Sequence, residues 1–418
     1  MKTQKWFVGI DWATEEHAVC LIDESGKVLG ERAFAHSGAG LAEMSAWLLD
    51  KSAAEASQLH VAIETPHGAV VETLLERGMV VHSVNPKQLD RFRDRFTVAG
   101  AKDDRRDARV LADSLRTDAP SFRVLQVDDP TIIELREWSR IAEELGYERV
   151  RLGNRVREQL LRYYPQMIEL ANDVADDWFL ALWELVPTPK LAPHAREKKI
   201  ANFLLERRIR RYDAKHVLST LRQKPLFVAP GTTQAAVAHI KTLAVRIRLV
   251  NQQIKEAKGQ LDRLTNELAA KESEPGQKCE QRVVDILRSL PGVGRIVLAT
   301  LLAEASQPLK TADYHALRTL SGAAPVTQQT GKQGKKRGHK PVVLMRRACN
   351  MRLRNAVHWW SGIAIQHDPR SKATYAALRA RGHSHSRALR TIADRLLALA
   401  CAMLRDRTLY DPALRQAA

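Results

Sequence analysis

Two buried-strand patterns in this chain end on acidic residues, and this feature most constrains how the chain can fold. The apolar run from Trp6 to Ile10 leads into Asp11, and a second run that closes on Ile63 leads into Glu64. A carboxylate that closes a buried strand needs a partner or a metal ion. Because a sheet holds its side chains rigidly, such acids can meet a ligand from a neighbouring element. The two acids therefore indicate a site built on a sheet.

Two more acids lie in a segment with a helical pattern. Residues 102–115 read KDDRRDARVLADSL, and the apolar positions from Ala108 to Leu115 favour a helix in which Asp104 and Asp107 share one face. Carboxylates that hold two divalent ions about 4 Å apart can orient an in-line displacement at phosphorus, and Mg²⁺ prefers oxygen ligands. The alternative is that Asp104 and Asp107 pair with neighbouring arginines on a solvated face, and that Asp11 caps a strand.

The charge of the chain favours a polyanionic partner. Its 418 residues carry a formal charge of +18, and Lys and Arg that neutralise phosphates gain affinity by releasing counterions.

No apolar run approaches the roughly 20 residues of a spanning helix, and the start of the chain shows no signal-peptide pattern. The cysteines are too far apart for a zinc or redox motif: Cys20, Cys279, Cys349 and Cys401. We expect a cytosolic protein of two or three domains without a membrane partner.

The first part of the chain predicts a mixed α/β domain. Strand patterns cover residues 6–10, 18–22, 28–34, 59–63 and 79–84, and helical patterns cover residues 41–49, 70–75 and the acidic segment. Three strands in succession followed by alternating helices and strands suggest a mixed sheet. This order matches a ribonuclease H-like domain, which we place at residues 1–125.

Long helical patterns follow. Apolar residues from Ile240 to Leu268 recur in steps of three and four, the heptad pattern of a coiled-coil seam. The partner of this helix is either an earlier helix near residues 138–163, folded back as a hairpin, or the same helix of another subunit. We expect a looser insertion around Pro187, Pro193 and Pro225 and a linker at residues 273–280. The predicted divisions are a helical coiled-coil and insertion region at 126–272 and a mostly α-helical domain at 281–418.

The last domain holds the clearest basic surface. Residues 331–356 contain nine Lys or Arg and no acid, which marks a surface for phosphates. Gly292 and Gly294 lie in a helix-hairpin-helix-like turn whose backbone N–H groups can hold a phosphate, although an ordinary turn fits as well. We interpret Trp359 and Trp360 as core residues and the histidines of this domain as phosphate contacts or surface residues. The candidate nucleic-acid-binding residues are Gly292, Gly294, Lys332, Lys335, Lys336, Arg337, Lys340, Arg346 and Arg347.

Several motifs resemble the DEDD-type insertion-sequence transposases, which are related to the Piv DNA invertase. They are Phe7-Val8-Gly9-Ile10-Asp11, Ile63-Glu64-Thr65, Asn85-Pro86 and the segment from Lys102 to Ala108. The resemblance implies a RuvC-like catalytic domain, a coiled-coil insert and a C-terminal transposase domain. It also implies that Mg²⁺ or Mn²⁺ is held by Asp11, Glu64, Asp104 and Asp107. Asp103 competes with Asp104 for this role, and the three-residue spacing to Asp107 favours Asp104.

The resemblance extends to the second half of the chain. Gly322-Ala323-Ala324-Pro325 and the segment from Gln328 to Lys332 are similar to the family segment that carries a nucleophilic serine, and Thr330 stands at that position. A threonine hydroxyl can form a phosphodiester intermediate, while a turn threonine beside a glycine is the competing interpretation. The resemblance further implies donor and target DNA, a bridge noncoding RNA as guide, and dimers or tetramers in a prokaryotic cytoplasm.

Three alternatives stay open. A RuvC-like junction endonuclease would use the same metal site with water in place of a hydroxyl nucleophile. The Gly9-Ile10-Asp11 motif followed by Ala13-Thr14 also resembles the first phosphate loop of sugar kinases and actin, although the basic charge argues against an ATP-binding protein. An inactive nucleic-acid-binding scaffold would show salt-dependent binding without cleavage.

Overall fold

The chain forms two compact units, Met1–Asp128 and Asp129–Ala418. The computed structural model describes residues 5–96, 103–126, 129–229, 231–271, 282–328 and 342–412. Within these ranges, no helix has both the length and the apolar character that crossing a membrane requires.

The first unit contains a mixed sheet with the strand order β3-β2-β1-β4-β5-β6. β1 pairs antiparallel with β2 and parallel with β4, while β4 and β5 are also parallel. The mixed α/β sheet predicted from the sequence is thereby confirmed. The strands are β1 Trp6–Asp11, β2 Glu16–Ile22, β3 Val28–Ala35, β4 Leu59–Ile63, β5 Val80–Ser83 and β6 Arg123–Val124.

Helices cover both faces of this sheet: α1 Gly38–Ser52, α2 Ala69–Glu76, α3 Pro86–Arg93 and α4 Asp104–Asp118. Val8 and Ile10 of β1 pack in a core with α1 and α2, whereas Phe7 packs in a second core with α4. Since successive side chains of a strand point to opposite faces, burial on both faces explains why β1 is continuously apolar. The sequence pattern predicted α1, α2 and α4 but not α3.

Gly9 lets α4 lie directly on β1. A Cβ atom at this position would stand 1.8 Å from the carbonyl oxygen of Ala108 and 2.6 Å from the backbone nitrogen of Ala112. Any side chain here would therefore force the helix away from the strand. The contact fixes the first turn of α4, with Asp104 and Asp107, relative to the end of β1.

Two long antiparallel helices begin the second unit, α5 Pro130–Tyr163 and α9 Thr232–Lys271. Arg149 Nε donates to Asn251 Oδ1 at 2.8 Å, and Thr131 Oγ1 donates to Glu267 Oε1 at 2.9 Å. The apolar heptad positions of α9 are buried apart from the half-buried Ile254, and α5 supplies the partner surface. Of the two predicted partners, the earlier helix is the one in contact; the coiled-coil geometry stays a prediction.

The proline-containing region between α5 and α9 is better packed than we expected. Three helices form here, α6 Asp177–Leu185, α7 Glu197–Glu206 and α8 Ala214–Leu221. Phe179 and Trp183 are fully buried in a core shared with α5 and α9. The prediction of a looser insertion was wrong around Pro187 and Pro193, where apolar faces pack, whereas residues 223–229, which include Pro225, form a mostly exposed coil.

Seven helices and a two-stranded ribbon are described after residue 281. They are α10 Val283–Ser289, α11 Arg295–Glu304, α12 Ser306–Lys310, α13 Tyr314–Leu320, β7 Val326–Gln328, β8 Val342–Leu344, α14 Met351–His367, α15 Pro369–Ala380 and α16 His385–Asp406. Their core also includes Ile132 and Leu135 of α5 and Leu261 and Leu264 of α9. The linker predicted at residues 273–280 lies outside the described residues, and the three-part domain division stays a prediction.

Candidate active site

The first unit brings the four predicted acids to one region. Asp11 ends β1, and Glu64 directly follows β4. Because β1 and β4 are parallel, with Ile10 opposite Ile63, these two carboxylates leave the sheet at neighbouring carboxyl ends. Asp104 and Asp107 occupy the first turn of α4, which the contact at Gly9 holds against β1.

The electrostatics of Asp11 show that these acids are close enough to act on one another. Burial, together with the negative charges of Asp107, Asp104 and Glu64, raises the pKa of Asp11 to about 6, and this value includes the opposing effect of Arg93. Crowded carboxylates favour the binding of a proton or a cation. The site therefore carries excess negative charge inside a strongly basic protein.

Arg93, at the end of α3, is the principal cation paired with this cluster. Its Nε and Nη2 donate to the two carboxylate oxygens of Asp107 at 2.6 and 2.7 Å, and it forms a further salt bridge with Asp90. The Asp107 side chain is only 7% exposed. A two-point charge-assisted pair of this kind is among the stronger polar contacts in proteins. Both oxygens of Asp107 are thus engaged by Arg93.

Asp103 has a different role from its neighbour. It is the N-cap of α4, and its side chain accepts a hydrogen bond from the Arg105 backbone N–H at 3.4 Å. Asp104 stands one residue later in the helix, and its charge contributes to the raised pKa of Asp11. The capping role of Asp103 leaves Asp104 as the better candidate to join the cluster.

A divalent cation fits the donor chemistry of this cluster but has no preformed site. Four carboxylates supply the oxygen ligands that Mg²⁺ and Mn²⁺ prefer. Among the residues that the structure describes, however, no three His, Cys, Asp or Glu side chains are arranged to hold a metal ion. The pairing of Asp107 with Arg93 provides a physical reason, because it occupies both oxygens of one donor.

A histidine pair, in which His17 is buried and His36 is exposed, supports the loop that follows Asp11. The Ala13 backbone N–H donates to His17 Nδ1 at 3.3 Å, so His17 carries its proton on Nε2, which lies 2.9 Å from His36 Nδ1. Burial lowers the pKa of His17, and the charge of His36 lowers it further, which favours the neutral ring. No motif in the sequence pointed to this pair, since His17 lies on β2 and His36 directly follows β3, 19 residues later.

We expect Asp11→Asn to stabilise the metal-free protein. The substitution removes one of several crowded negative charges. Because the pKa of Asp11 in the folded protein, about 6, exceeds its ordinary value of 3.8, protonated Asp11 stabilises the fold at low pH, and this contribution is lost as the pH rises from about 4 to about 6. Urea unfolding across this range should show the unfolding free energy of the wild type falling relative to that of the variant.

Asp113→Asn is the matched control for this prediction. Asp113 lies on the same helix but is paired with Arg116 at 2.6 Å, so its loss should lower stability or leave it unchanged. If Asp11→Asn proves less stable than the wild type at neutral pH, the carboxylates do not repel one another as described.

The candidate nucleic-acid-binding residues of the second unit lie in different environments. Gly292 has φ +82°, and a Cβ atom there would lie 2.9 Å from the Ala364 nitrogen of α14, so this glycine serves close packing. Gly294 is the N-cap of α11, and the space around it is open. Arg346 and Arg347 lie in the loop before α14. The others lie outside the described residues: Lys332, Lys335, Lys336, Arg337 and Lys340, together with Thr330.

Arg352 departs from the expected phosphate-binding role. It lies within residues 331–356, the segment that we predicted as a surface for phosphates because it contains no acid. In the fold, its Nε donates to Glu304 Oε1 at 3.0 Å and its Nη2 to Ser139 Oγ at 2.9 Å, and it also pairs with Glu143. The acids come from α11 and α5, far away along the chain, so Arg352 ties α14 to those helices.

The two adjacent tryptophans have opposite environments. Trp360 is fully buried, and its Nε1 donates to the Pro291 carbonyl oxygen at 2.9 Å. Trp359 is 67% exposed. The prediction that both lie in the core was therefore correct for Trp360 and wrong for Trp359, because neighbouring residues on a helix point about 100° apart.

Comparisons with known proteins identify the family to which this chain is similar. A family model described as "Transposase" matches residues 8–165, and a model described as "Transposase IS116/IS110/IS902 family" matches residues 284–376. The chain is 60% identical over 209 residues to a putative transposase, y4uE, of Sinorhizobium fredii, a match that covers 50% of this chain and 58% of that protein.

Other relatives align over almost their whole length. The mini-circle putative transposase for IS117 of Streptomyces coelicolor is 29% identical, with 97% of this chain and 95% of that protein covered. An uncharacterized 42 kDa protein of the insertion element IS900 of Mycobacterium paratuberculosis is 25% identical, with 99% of each chain covered. The two family models together span more than half of the chain and include all four acids. The chain belongs to the IS116/IS110/IS902 family of transposases.

Proposed function

We propose that this transposase cuts and rejoins DNA strands through a metal site formed by Asp11, Glu64, Asp104 and Asp107. The observation that carries the proposal is their convergence at the ends of β1 and β4 and the start of α4, where burial and the repulsion of the other acids raise the pKa of Asp11 to about 6. The strand order and directions support a ribonuclease H-like, RuvC-like domain. Divalent ions bound to these acids would orient the scissile phosphate and stabilise the charge that develops on it.

Thr330 is the proposed nucleophile. Its Oγ1 attacks phosphorus and forms an ester, one P–O bond of the DNA strand breaks, and the departing sugar oxygen takes up a proton while the threonine loses one. A sugar hydroxyl of another strand then attacks the ester and releases Thr330. The support for this role is sequence resemblance, because Thr330 occupies the position at which the family carries a serine.

The proposal also includes a bridge RNA as guide and an oligomer of this chain. The formal charge of +18 suits a protein that binds long polyanions. The resemblance further implies that a structured RNA pairs with donor and target DNA, and that dimers or tetramers unite the acids of one subunit with the hydroxyl of another. Sequencing the RNA and DNA that copurify with the full chain tests the guide, and enrichment of no particular RNA would contradict it.

Covalent trapping on a cleaved DNA site tests the chemistry. We expect the wild type to form a protein–DNA adduct in Mg²⁺, Thr330→Ala to form none, and Asp11→Ala and Asp107→Ala to lose strand cleavage. An undiminished adduct in Thr330→Ala removes Thr330 from the role, and cleavage that survives both acid variants refutes the metal site. Cleavage by the wild type without any adduct supports the junction endonuclease that uses water.

A further inference from the structure

The C-terminal helices expose an aromatic surface that the carboxylate chemistry does not use. Trp359 on α14 is 67% exposed, although burial of such a side chain contributes about 2 kcal/mol or more. On the same helix, the His358 ring lies 6.2 Å from the Trp359 ring, between ring centroids. An exposed indole beside a second flat ring offers two planes for stacking.

Two neighbouring helices add further rings. The hydroxyl of Tyr375 on α15 lies 2.8 Å from Nδ1 of His385 at the start of α16, and the two ring centroids are 5.8 Å apart. His385 is near enough to His358 to affect it: burial lowers the pKa of His358, and the charges of His385 and Arg354 lower it further. The aromatic patch thus comprises Arg354, His358, Trp359, Tyr375 and His385.

The charge around the aromatic patch is positive. Arg354 contacts the sulfur atoms of Cys349 and Met351, and none of the salt bridges formed within the described ranges involves Arg354, Arg381 or Arg387. Burial lowers the pKa of His383, which lies in the turn before α16, and the charges of Arg387 and Arg381 lower it further. Arginines without acidic partners on a surface are available to phosphates.

We propose that the aromatic patch binds an unpaired stretch of DNA, with bases stacked on Trp359 and phosphates contacted by the nearby arginines. Exposed aromatic planes within a positive field are the features by which proteins bind single strands without reading sequence. A duplex keeps its base faces stacked on one another and cannot offer them to an indole. An acidic protein partner would satisfy the arginines but not the rings. The proposal commits to DNA because the family consists of transposases.

Fluorescence anisotropy with a labelled oligothymidine of about 12 nucleotides tests this proposal on the full chain. Since removing a stacking aromatic weakens single-strand binding substantially, we expect Trp359→Ala to raise the Kd by about tenfold and Trp359→Phe to restore most of the affinity. Phe227→Ala is the matched control, because Phe227 is likewise an exposed aromatic residue but lies in another part of the second unit. Its Kd should stay at the wild-type value.

A second arm separates stacking from general electrostatics. An abasic strand of the same length keeps the phosphates but removes the bases, so the wild type should bind it more weakly, while Trp359→Ala should bind both strands equally. An unchanged Kd in Trp359→Ala, or equal binding of both strands by the wild type, overturns the proposal. If Trp359→Ala weakens the binding of an oligouridine but not that of the oligothymidine, the assignment to DNA is wrong. None of these outcomes depends on strand cleavage, so they are independent of the proposed active site.

Discussion

Gly9→Ala is expected to disrupt the first unit more than an alanine at any other glycine that the structure describes there. The new Cβ atom would lie 1.8 Å from the carbonyl oxygen of Ala108 and 2.6 Å from the nitrogen of Ala112. Both are backbone atoms of α4, so no side-chain rotation can relieve the overlap, and the helix must move. We expect a loss of about 3 kcal/mol or more in the free energy of unfolding, at the upper end of the cost of overpacking a core.

Thermal and urea unfolding measure this effect, and Gly38→Ala is the matched control. A Cβ atom at Gly38, in the first turn of α1, meets nothing within 4 Å, so this variant should be neutral or slightly stabilised. Because α4 carries Asp104 and Asp107, any Gly9→Ala protein that folds should also bind Mn²⁺ more weakly. A variant with wild-type stability would show that α4 does not lie on β1 as described.

Arg93→Gln is expected to lower the stability of the metal-free protein and to increase its affinity for Mn²⁺. Without Arg93, the buried Asp107 carboxylate loses the bonds at 2.6 and 2.7 Å. Leaving a buried carboxylate unpaired costs about 3 kcal/mol. The same change frees both oxygens of Asp107 for a cation, so we expect a gain of about tenfold in Mn²⁺ affinity, which corresponds to about 1.4 kcal/mol.

Calorimetric titration with Mn²⁺ and thermal unfolding with and without Mn²⁺ measure the two effects separately. Arg91→Gln is the control, since Arg91 is an exposed residue of the same helix and its loss should change neither quantity. The opposite signs of the two effects are the test. If Arg93→Gln weakens Mn²⁺ binding, Arg93 positions Asp107 for the metal and does not compete with it.

The four acids show which features of the site can be predicted from the sequence. Apolar runs that end in Asp11 and Glu64 mark the strands and their ends, and the spacing of Asp104 and Asp107 marks one helix face, because alternation and helical period are local properties of the chain. The resemblance to the transposases is confirmed by the family comparisons. The roles of the four acids and of Thr330 stay predictions.

Other residues show where sequence reasoning fails. Arg93 was not a candidate, because nothing in the chain near it points to Asp107, 14 residues away. Arg352 lies in the segment predicted as a surface for phosphates, yet it pairs with Glu143 and Glu304, acids more than 40 residues away. Ion pairs between separate elements depend on packing, and a local pattern does not encode them.

By itself, the sequence determined most elements of the first unit, although not α3 or β6, the acids at the ends of those elements and the family of the chain. Only the tertiary structure decided that α4 lies directly on β1 at Gly9, that Arg93 engages Asp107, and that Trp359 faces solvent while Trp360 fills the core. The physical reason is that hydrophobic periodicity is a property of a single element and can be read from its sequence. Close packing and charge pairing join separate elements, which only the fold brings together.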